Sequence, residues 1–375
     1  MKLYFHKQLV KIGGAEKVFL EQCQAIGEKD IIRVVGFVDK NLFETDHIDK
    51  ILVSEPTAFL RLKILLKLMY LAFNMRVCSI ICGSGIIDAF IVSQLLRTRL
   101  IYEDHHPIGM QINGTLFNDP IIYDRLKKFD ITNPLFKKKI LKQGVGHFFK
   151  NTILRTLYVK SEKICVHSDY SKDEKMALFN RHTDVVPFLP SDVMSHHKRE
   201  VPKAKNSFNI VYFGRIVEQK NIDILIRAVT KVSSDKNWEL NILGASDPKY
   251  VDYLLQLIKE YNGNNNINLI EDPSDDMFFK TIQMSDLFVN TEYVDVNITN
   301  IEALLLGLNI LVPSISQIPK EMSGQGIFRY SHLNSEIISD EIETIMESKK
   351  MTTKEFDYKM TRQRYFDYRI SYLFD

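Results

Sequence analysis

NIVYFGRIVEQKNIDILIRAV, residues 209–229, is the stretch of sequence that decides the fold. Its apolar first residues predict a buried strand that ends at Gly214, and an amphipathic helix follows Lys220. A glycine at the end of a strand lets the backbone turn sharply and lets a ligand approach it closely. Arg215 and Lys220 then place two cations near the start of a helix, which is an arrangement suited to phosphate. On this stretch alone, two solvated cations after a strand are an equally good interpretation.

The same alternation of strand and helix extends outward from this stretch. Predicted strands are Lys2–Phe5, Ile31–Phe37, Ser79–Cys82, Leu100–Tyr102, Lys163–His167, Asn209–Tyr212, Glu239–Leu243, Asn266–Ile270, Leu287–Val289 and Ile310–Val312. Predicted helices include Ala15–Gly27, Asn221–Val232, Lys249–Tyr261, Asp276–Met284 and Ile301–Leu306. Such alternation is typical of an α/β protein whose parallel sheet carries helices on both faces.

A polar stretch divides this pattern into two halves. Residues Ser191–Ser207 contain Pro202 and predict a linker. We therefore expect two doubly wound, Rossmann-like domains, residues 1–195 and 208–350, and a C-terminal helix in 351–375 that packs back across the seam between them. Open parallel sheets bind ligands beyond the carboxyl ends of their strands, so both domains are expected to face a central cleft.

A second polar loop between a strand and a helix lies in DLFVNTEYVDVNITNIEALLLGLNILV, residues 286–312. The loop Val294–Thr299 leads into a helix N-terminus, whose free N–H groups are able to bind a diphosphate. Glu302 lies early in that helix. Its carboxylate is placed either to accept hydrogen bonds from a ribose diol or to act as an ordinary capping or surface residue.

The first half carries two further candidate sites at the ends of predicted strands. Gly13 and Gly14 follow the first strand and open a helix, where they either permit close approach of a phosphate or form an ordinary turn. Asp104, His105 and His106 stand at the carboxyl end of a later strand. A histidine pair beside a carboxylate at a strand end is a candidate for contact with a reacting group, whereas a lone exposed histidine would mean little.

Taken together, these segments resemble the C-terminal half of family-four glycosyltransferases of the GT-B fold. That family shows a strand, Gly-Arg, four residues and Lys, and later Glu-Ala in a helix followed by Gly and another strand. The corresponding residues are Gly214-Arg215 with Lys220, Glu302-Ala303 with Gly307, Leu243-Gly244, Ser285–Val289 and the turn Gln317–Glu321. The first half resembles the family more loosely, around Gly13, His105 and Cys165.

This resemblance implies an enzyme that transfers a hexose-type sugar, with retention, from a nucleoside-diphosphate sugar to a saccharide acceptor. The residues implied in catalysis are His105, His106, Arg215 and Lys220, and those at the acceptor are Asp104 and the same two histidines. The residues implied in donor binding are Gly13, Gly14, Gly214, Arg215, Lys220, Asp295, Asn297, Ile298, Thr299 and Glu302. A lipid-linked acceptor and bacterial surface-polysaccharide synthesis, such as assembly of O-antigen, capsule or lipopolysaccharide, are the expected setting.

Two features depart from the family pattern. The family commonly has an acidic residue eight positions before the Glu of the Glu-Ala pair, where it contacts the transferred sugar, but Val294 stands there. Asp295 and Glu292 are the acidic residues near enough to substitute, which leaves the identity of the sugar open. The Pro-Asn-Gly that usually precedes the linker is replaced by Pro187-Phe188-Leu189-Pro190, so the seam between the domains is expected to differ.

No metal ion is expected at the site. The sequence has no Asp-x-Asp motif, with which many transferases of the other major fold hold a metal. The charge of the leaving diphosphate must then be met by Arg215, Lys220 and helix N-termini. We therefore expect neither a metal nor another cofactor.

The charge of the chain is unevenly divided. Its 375 residues carry 49 Lys plus Arg and 47 Asp plus Glu, a net charge of +2 that separates into +8 on residues 1–200 and −6 on the remainder. Two segments of the first half mix cations with apolar side chains, FLRLKILLKLMYLAF at 59–73 and the region 125–163. Such mixtures bind anionic membrane surfaces. The alternatives are chance drift in surface charge and, for 59–73, a core helix with a narrow polar edge.

The remaining features bear on partners and location. The chain has no recognised nucleic-acid module, so nucleic acid is not an expected partner. Its N-terminal sequence lacks the apolar segment typical of a signal peptide, and four cysteines are too few for a disulfide scaffold. We expect a cytoplasmic protein bound peripherally to the inner face of the plasma membrane. Two alternative functions stay open: a nucleotide-sugar epimerase of the same fold, and a catalytically silent partner subunit, which Val294 favours.

Overall fold

The computed structural model of the protein describes most of the chain. The described residues are 1–9, 14–27, 30–39, 41–43, 45–53, 59–104, 156–186, 207–233, 236–261, 266–292, 294–319, 322, 324, 326–348 and 358–374. They form two compact units. The first unit comprises the described residues up to 104 together with 156–186 and 362–374, and the second comprises those between 207 and 361. The expected linker, apart from Ser207, lies outside the described residues, as do Pro187 to Pro190.

The first unit is built on a seven-stranded parallel sheet with strand order β3-β2-β1-β4-β5-β6-β7. The strands are β1 (Lys2–Leu9), β2 (Ile31–Val38), β3 (Lys50–Ile51), β4 (Ser79–Cys82), β5 (Arg99–Glu103), β6 (Lys163–Val166) and β7 (Asp184–Val185). All five strands predicted in this half are present. The edge strands β3 and β7 were not predicted, because two residues are too few to show a periodic pattern.

Helices cover this first sheet. They are α1 (Gly14–Ala25), α2 (Leu60–Asn74), α3 (Ile86–Leu96) and α4 (Asp169–Phe179), and the chain ends in the C-terminal helix Tyr358–Phe374. The last turn of the C-terminal helix packs into the first unit, since Leu373 and Phe374 belong to the same apolar cluster as Tyr4 and Val35. In the part of the chain that the structure describes, no helix is long and apolar enough to cross a membrane.

The second unit is built on a six-stranded parallel sheet with strand order β10-β9-β8-β11-β12-β13. The strands are β8 (Phe208–Phe213), β9 (Trp238–Gly244), β10 (Ile267–Glu271), β11 (Leu287–Val289), β12 (Asn309–Pro313) and β13 (Ile327–Tyr330). The five predicted strands are again present. β13 was not predicted, and its half-exposed edge residues explain why its apolar signal is weak.

The helices of the second unit are α5 (Ile222–Val229), α6 (Pro248–Glu260), α7 (Asp275–Gln283), α8 (Ile298–Leu305) and α9 (Ser335–Ser348). Two predicted bounds of these helices were wrong by three residues. Helix α5 ends at Val229 rather than Val232, and α8 begins at Ile298 rather than Ile301, because the side chain of Asn297 caps it. Helix α9 was not predicted, although its buried residues Ile338 and Ile342 have helical spacing.

The order of strands in each sheet reverses at one point. In the second sheet the chain moves from β8 outward to β9 and β10, and then crosses to β11 on the other side of β8. In the first sheet the corresponding reversal lies between β1 and β4. Ligands of open parallel sheets bind at such reversals, beyond the carboxyl ends of the strands. The fold therefore directs attention to the loops that follow β8 and β11.

Candidate functional site

The loops that follow β8 and β11 lie side by side at the carboxyl edge of the second sheet, because the two strands are neighbours. Ile210 pairs with Leu287 and Val211 with Phe288, so both strands end at the same edge. The loop after β8 carries the Gly-Arg and Lys residues singled out in the sequence. The loop after β11 leads into α8. Two distant stretches of sequence thus meet at one point.

Two glycines bring the ends of β8 and β9 into close contact. Gly214 has φ 140° and Gly244 has φ 151°, both in the region that side chains disfavour. A methyl group on Gly244 would lie 1.8 Å from the carbonyl oxygen of Gly214. A methyl group on Gly214 would lie 3.7 Å from Cγ2 of Thr299, at the start of α8. The bare backbone of Gly214 therefore faces the first turn of that helix.

Hydrogen bonds fix the two loops to each other. The chain makes a 3₁₀ turn at Glu218–Lys220, and Asn221 follows in the left-handed conformation. The hydroxyl of Thr291 donates to the carbonyl of Lys220 over 2.7 Å, and the Asn221 amide donates to the carbonyl of Thr291 over 3.2 Å. These bonds hold Lys220 against the loop from β11 whether or not its ammonium group has a ligand.

The ammonium group of Lys220 forms an ion pair with Glu292. The carboxylate of Glu292 also accepts a hydrogen bond from the side-chain amide of Asn297, over 2.6 Å. The side chains of Lys220 and Glu292 are only 13% and 18% exposed. The ion pair is thus partly shielded from water, which strengthens it compared with a surface pair.

Helix α8 begins directly beside this ion pair. The side-chain oxygen of Asn297 accepts hydrogen bonds from the backbone N–H of Thr299 (3.0 Å) and from its hydroxyl (2.7 Å). The N–H of Asn300 donates to the carbonyl of Asn297 over 3.1 Å. The N–H groups of this first turn lie at the positive end of the helix dipole. Lys220 and the start of α8 together make an environment that stabilises a negatively charged group.

The acidic residues around α8 are buried. Glu302, in the second turn of α8, is 6% exposed, and Asp295 is 3% exposed. The backbone carbonyl of Asp295 accepts a hydrogen bond from the N–H of Gln317, which ties this loop to the segment after β12. Val294 is buried as well, and its carbonyl accepts from the hydroxyl of Ser316. An acidic side chain in place of Val294 would lie in that same buried loop.

Arg215 is the exposed cation of the site. Its carbonyl accepts a hydrogen bond from the Tyr212 hydroxyl over 3.1 Å. Burial raises the pKa of Tyr212 well above its usual value, and the charge of Glu292 raises it further, so this hydroxyl stays protonated and keeps donating. The backbone at Arg215 is therefore held in place while its guanidinium group faces solvent. The structure thus brings together Gly214, Arg215, Lys220, Asn297, Ile298 and Thr299.

In the first unit, Asp104 is buried at the end of β5. It forms an ion pair with the fully buried Lys175, with an N–O distance of 3.1 Å, and accepts a hydrogen bond from the hydroxyl of Tyr158. A contact between Asp104 and an acceptor stays a prediction. His105, His106 and Gly13 lie outside the described residues, and Gly14 is the first residue of α1.

A second buried ion pair lies beside Asp104 and was missed by the sequence analysis. Arg369 of the C-terminal helix, 0% exposed, pairs with Glu103, the last residue of β5. Nε2 of His167 lies 3.9 Å from the same carboxylate, and its Nδ1 is bonded to the carbonyl of Val186 over 2.7 Å. The acidic pair Glu103-Asp104 was visible in the sequence, but its cationic partners lie far away in the chain.

No possible metal centre is apparent among the residues that the structure describes, since these contain no group of three His, Cys, Asp or Glu side chains able to hold an ion. The polar groups assembled after β8 and β11 are instead cations, amides, N–H groups and the carboxylate of Glu292. Their chemistry fits the recognition of a phosphate-bearing ligand.

Comparison with protein families gives a match in the second half of the chain. Residues 194–361 match the family model described as "Glycosyl transferases group 1". A comparison with curated protein sequences finds no match.

Solved structures with a similar fold cover the whole chain. HepE from Anabaena in complex with UDP-glucose is 18% identical, with a TM-score of 0.68 over 99% of this chain and 100% of that chain. WaaG, a glycosyltransferase involved in lipopolysaccharide biosynthesis, is 11% identical, with a TM-score of 0.64 over 100% and 95% of the two chains. Sucrose-phosphate synthase from Thermosynechococcus elongatus is 12% identical, with a TM-score of 0.65 over 98% and 94%. At these identities the likeness shows the fold, and it confirms the predicted two-sheet GT-B architecture.

Proposed function

We propose that this protein, whose residues 194–361 match the model of the glycosyl transferases group 1 family and whose fold is GT-B, transfers a hexose-type sugar from a nucleoside-diphosphate sugar to a saccharide acceptor. The observation that carries this proposal is the position of Lys220 beside the start of α8, at the reversal of strand order in the second sheet. The solved complex of HepE with UDP-glucose supports a nucleotide sugar as the donor.

The donor diphosphate binds between Arg215, Lys220 and the first turn of α8. Arg215 is exposed and free to approach a phosphate, whereas Lys220 is held by its backbone against the neighbouring loop. Glu302 binds the ribose from the second turn of α8, and Asp295, Asn297, Ile298 and Thr299 form the loop around the diphosphate. For the first half of the chain, we assign Gly14 to donor binding and Asp104 to acceptor binding, together with Gly13, His105 and His106, which lie outside the described residues.

Catalysis rests on electrostatic stabilisation of the leaving diphosphate. Negative charge builds up on the leaving phosphate as the glycosidic bond breaks, and preorganised cations and N–H groups stabilise that charge without reorganising. Arg215 and Lys220 supply the positive charge that stabilises the leaving phosphate, so transfer proceeds with no metal ion and no cofactor. The acceptor proton passes to the leaving phosphate, and the sugar keeps its anomeric configuration, as the family resemblance implies.

A face of α2 supports attachment to a membrane. Ile64, Leu68 and Ala72 pack inward, while the opposite face is apolar and exposed. The large exposed side chains there are Phe59, Leu62, Leu66, Tyr70 and Phe73. Lys63 and Lys67 lie beside this face and are exposed as well. A core helix with a narrow polar edge would not expose five large apolar residues, whereas an interfacial helix does.

The acceptor is carried on a lipid at this membrane, and the product enters a bacterial surface polysaccharide such as O-antigen, capsule or lipopolysaccharide. WaaG and the lipopolysaccharide outer core galactosyltransferase WaaB share the fold, which supports this setting. The net charge of +8 on residues 1–200 favours binding to the anionic, cytoplasmic leaflet of the plasma membrane. The protein acts there as a peripheral enzyme.

Membrane attachment is tested with vesicles that contain anionic phosphatidylglycerol. Wild-type protein should co-sediment with them, and less so at high salt, because screening weakens the contribution of the lysines. Leu66→Gln together with Tyr70→Gln should weaken binding strongly. Leu255→Gln changes an equally exposed leucine in the second unit and serves as the matched control. Equal binding by all variants, or none by wild type, contradicts this part of the proposal.

The transfer reaction is tested by screening UDP-, GDP- and ADP-sugars for a rise in melting temperature. A ligand at about 100 times its Kd stabilises the folded state by about 2.7 kcal/mol. The donor that binds is then incubated with and without saccharide acceptors. Turnover that depends on an acceptor supports a transferase, epimerisation of the donor alone indicates the epimerase, and binding without turnover indicates a silent subunit.

Variants connect that activity to the site. Arg215→Ala should lower kcat by about 100-fold, which is typical for the loss of one preorganised donor. Lys231→Ala removes an exposed cation that pairs with Glu336 in the same unit, and should leave kcat unchanged. If Arg215→Ala and Lys231→Ala transfer sugar equally well, the residue assignment is wrong. If no nucleotide sugar binds, the proposed function is wrong.

A further inference from the structure

The carboxylate of Glu292 is paired with Lys220, the cation that backbone hydrogen bonds hold in place at the proposed donor site. We propose that Glu292 is the resident counter-ion of Lys220, and that the donor diphosphate must displace it in order to bind. This inference rests on the proposed function, since it takes Lys220 as a ligand of the diphosphate. It assigns a regulatory task to a side chain that the family pattern does not place here, two residues before Val294.

The position of Glu292 is set by its own loop rather than by Lys220. The backbone N–H of Glu292 donates to the side-chain oxygen of Asn290 over 2.9 Å. The side-chain amide of Asn290 in turn donates to the side-chain oxygen of Asn300 in α8 over 2.8 Å. The backbone carbonyl of Asn290 accepts a hydrogen bond from the hydroxyl of Tyr330 over 3.0 Å. Glu292 is therefore held near Lys220 by a buried polar network, and the ion pair is a feature of the folded loop.

Lys220 is held as firmly from its own side. Thr291, the residue just before Glu292, donates its hydroxyl to the carbonyl of Lys220 over 2.7 Å. The lysine and the carboxylate thus approach each other across a fixed distance between backbones. A diphosphate that reaches Lys220 meets a negative charge already in contact with it, and the two anions repel each other in this partly shielded place.

Asn297 connects the ion pair to the start of α8. Its amide nitrogen donates to Glu292, while its oxygen caps the helix through the N–H of Thr299. When Glu292 leaves Lys220, both an ammonium group and an amide N–H become available on the side of the helix N-terminus. When the diphosphate takes the place of Glu292, the Lys220 ammonium group and the Asn297 amide therefore become hydrogen-bond donors to the diphosphate.

The consequence is a lower affinity for the nucleoside diphosphate, which is also the product that must leave after each transfer. A resident carboxylate competes with the product for Lys220 and so favours its release. Glu292→Gln removes the competing charge but keeps an oxygen for the Asn297 amide. We expect this variant to bind a nucleoside diphosphate about tenfold more tightly than wild type, which corresponds to about 1.4 kcal/mol.

The test measures the Kd of UDP, GDP and ADP by calorimetry for wild type, Glu292→Gln and three further variants. Glu218→Gln is the matched control, because it removes a carboxylate in the same turn as Lys220, whose ammonium group is paired with Glu292. Glu292→Asp keeps the charge on a shorter side chain and should give an intermediate Kd. Lys220→Met in the Glu292→Gln background should abolish the gain in affinity. Thermal melts confirm that each variant is folded.

Each outcome is decisive. A Kd that falls about tenfold in Glu292→Gln but less than twofold in Glu218→Gln supports the counter-ion. Equal changes in the two variants, or weaker binding by a folded Glu292→Gln, overturn the counter-ion and leave the proposed donor site intact. If Glu292→Gln does not fold, Glu292→Asp decides, and a wild-type Kd in that variant overturns the proposal. If wild type binds none of the three nucleotides, the proposed function fails and the counter-ion with it.

Discussion

Replacing Arg369 by methionine should destabilise the first unit while leaving the second unit unaffected. Arg369 and its partner Glu103 are 0% and 1% exposed. Burial lowers the pKa of Arg369 to about 10, so the guanidinium group is still charged at neutral pH. Methionine has a similar length and no charge, and it leaves the carboxylate of Glu103 buried without its main cation.

The size of the effect follows from that burial. Removing one partner of a buried ion pair costs about 3–5 kcal/mol, because the charge left behind remains desolvated. This is a large part of the total stability of a domain, which is about 5–15 kcal/mol. The double variant Arg369→Met with Glu103→Gln removes both charges of this pair, and it should recover most of the loss.

The assay has to report on each unit separately, because a chain with two units does not unfold as a single two-state system. Urea-dependent hydrogen exchange of peptides that cover β5 (Arg99–Glu103) reports on the first unit. The single tryptophan, Trp238 in β9, reports on the second unit by fluorescence. Arg364→Met, which changes an exposed arginine of the same helix, is the control.

Arg369→Met should lower the protection of β5 by about 3–5 kcal/mol and leave the Trp238 transition in place. A loss of less than about 1 kcal/mol, or a loss equal to that of Arg364→Met, would refute the reasoning from burial. A double variant that is less stable than the single variant would show that Glu103 is not left unpaired by the loss of Arg369.

Two further predictions concern glycine packing and pH. Gly244→Ala should lower the stability of the second unit, read from Trp238 fluorescence, by about 3 kcal/mol, because its Cβ would lie 1.8 Å from the Gly214 carbonyl at a φ of 151°. Gly27→Ala, whose Cβ would meet nothing within 4 Å, should leave the hydrogen-exchange protection of the first unit nearly unchanged. Equal losses in the two variants, each measured in its own unit, would contradict this. Burial lowers the pKa of His6 to about 4, so on acidification the unfolded chain takes up the proton near its usual pKa of 6.5 before the folded chain does. Stability of the first unit should therefore fall by about 2 kcal/mol more in wild type than in His6→Leu between pH 7 and pH 5, and parallel pH profiles would exclude this assignment.

The sequence predicted the architecture well because a parallel sheet leaves a clear pattern. Strands buried on both faces appear as continuous apolar runs, as in β4 and β12, whose residues are all buried. The elements that were missed lack that pattern. β3 and β7 have two residues each. β13 lies at the edge of its sheet, where most of its residues are partly exposed and need not be apolar. The start of α8 was misplaced because the cap formed by Asn297 acts through a side chain rather than through hydrophobic spacing.

The candidate site was predicted in part. Gly214, Arg215 and Lys220 are close in sequence, and their spacing after a strand was sufficient to single them out. Which of Asp295 and Glu292 takes the place of the acidic residue that the family has at Val294 stays a prediction. The ion pair of Glu292 with Lys220 could not be inferred, because it joins two different loops. The buried partners Lys175 and Arg369 could not be inferred, since nothing in the local sequence distinguishes them from solvent-exposed cations. Contacts between distant segments are what the sequence pattern does not record.

The central claim is that the loops after β8 and β11 bind a nucleoside diphosphate. A crystal structure of the protein with the nucleotide that gives the largest rise in melting temperature tests it most directly. The account predicts diphosphate oxygens within about 3.2 Å of the Lys220 ammonium group and of N–H groups in the first turn of α8, with Glu292 moved away from Lys220. A nucleotide bound elsewhere, with the ion pair of Lys220 and Glu292 intact, would contradict it.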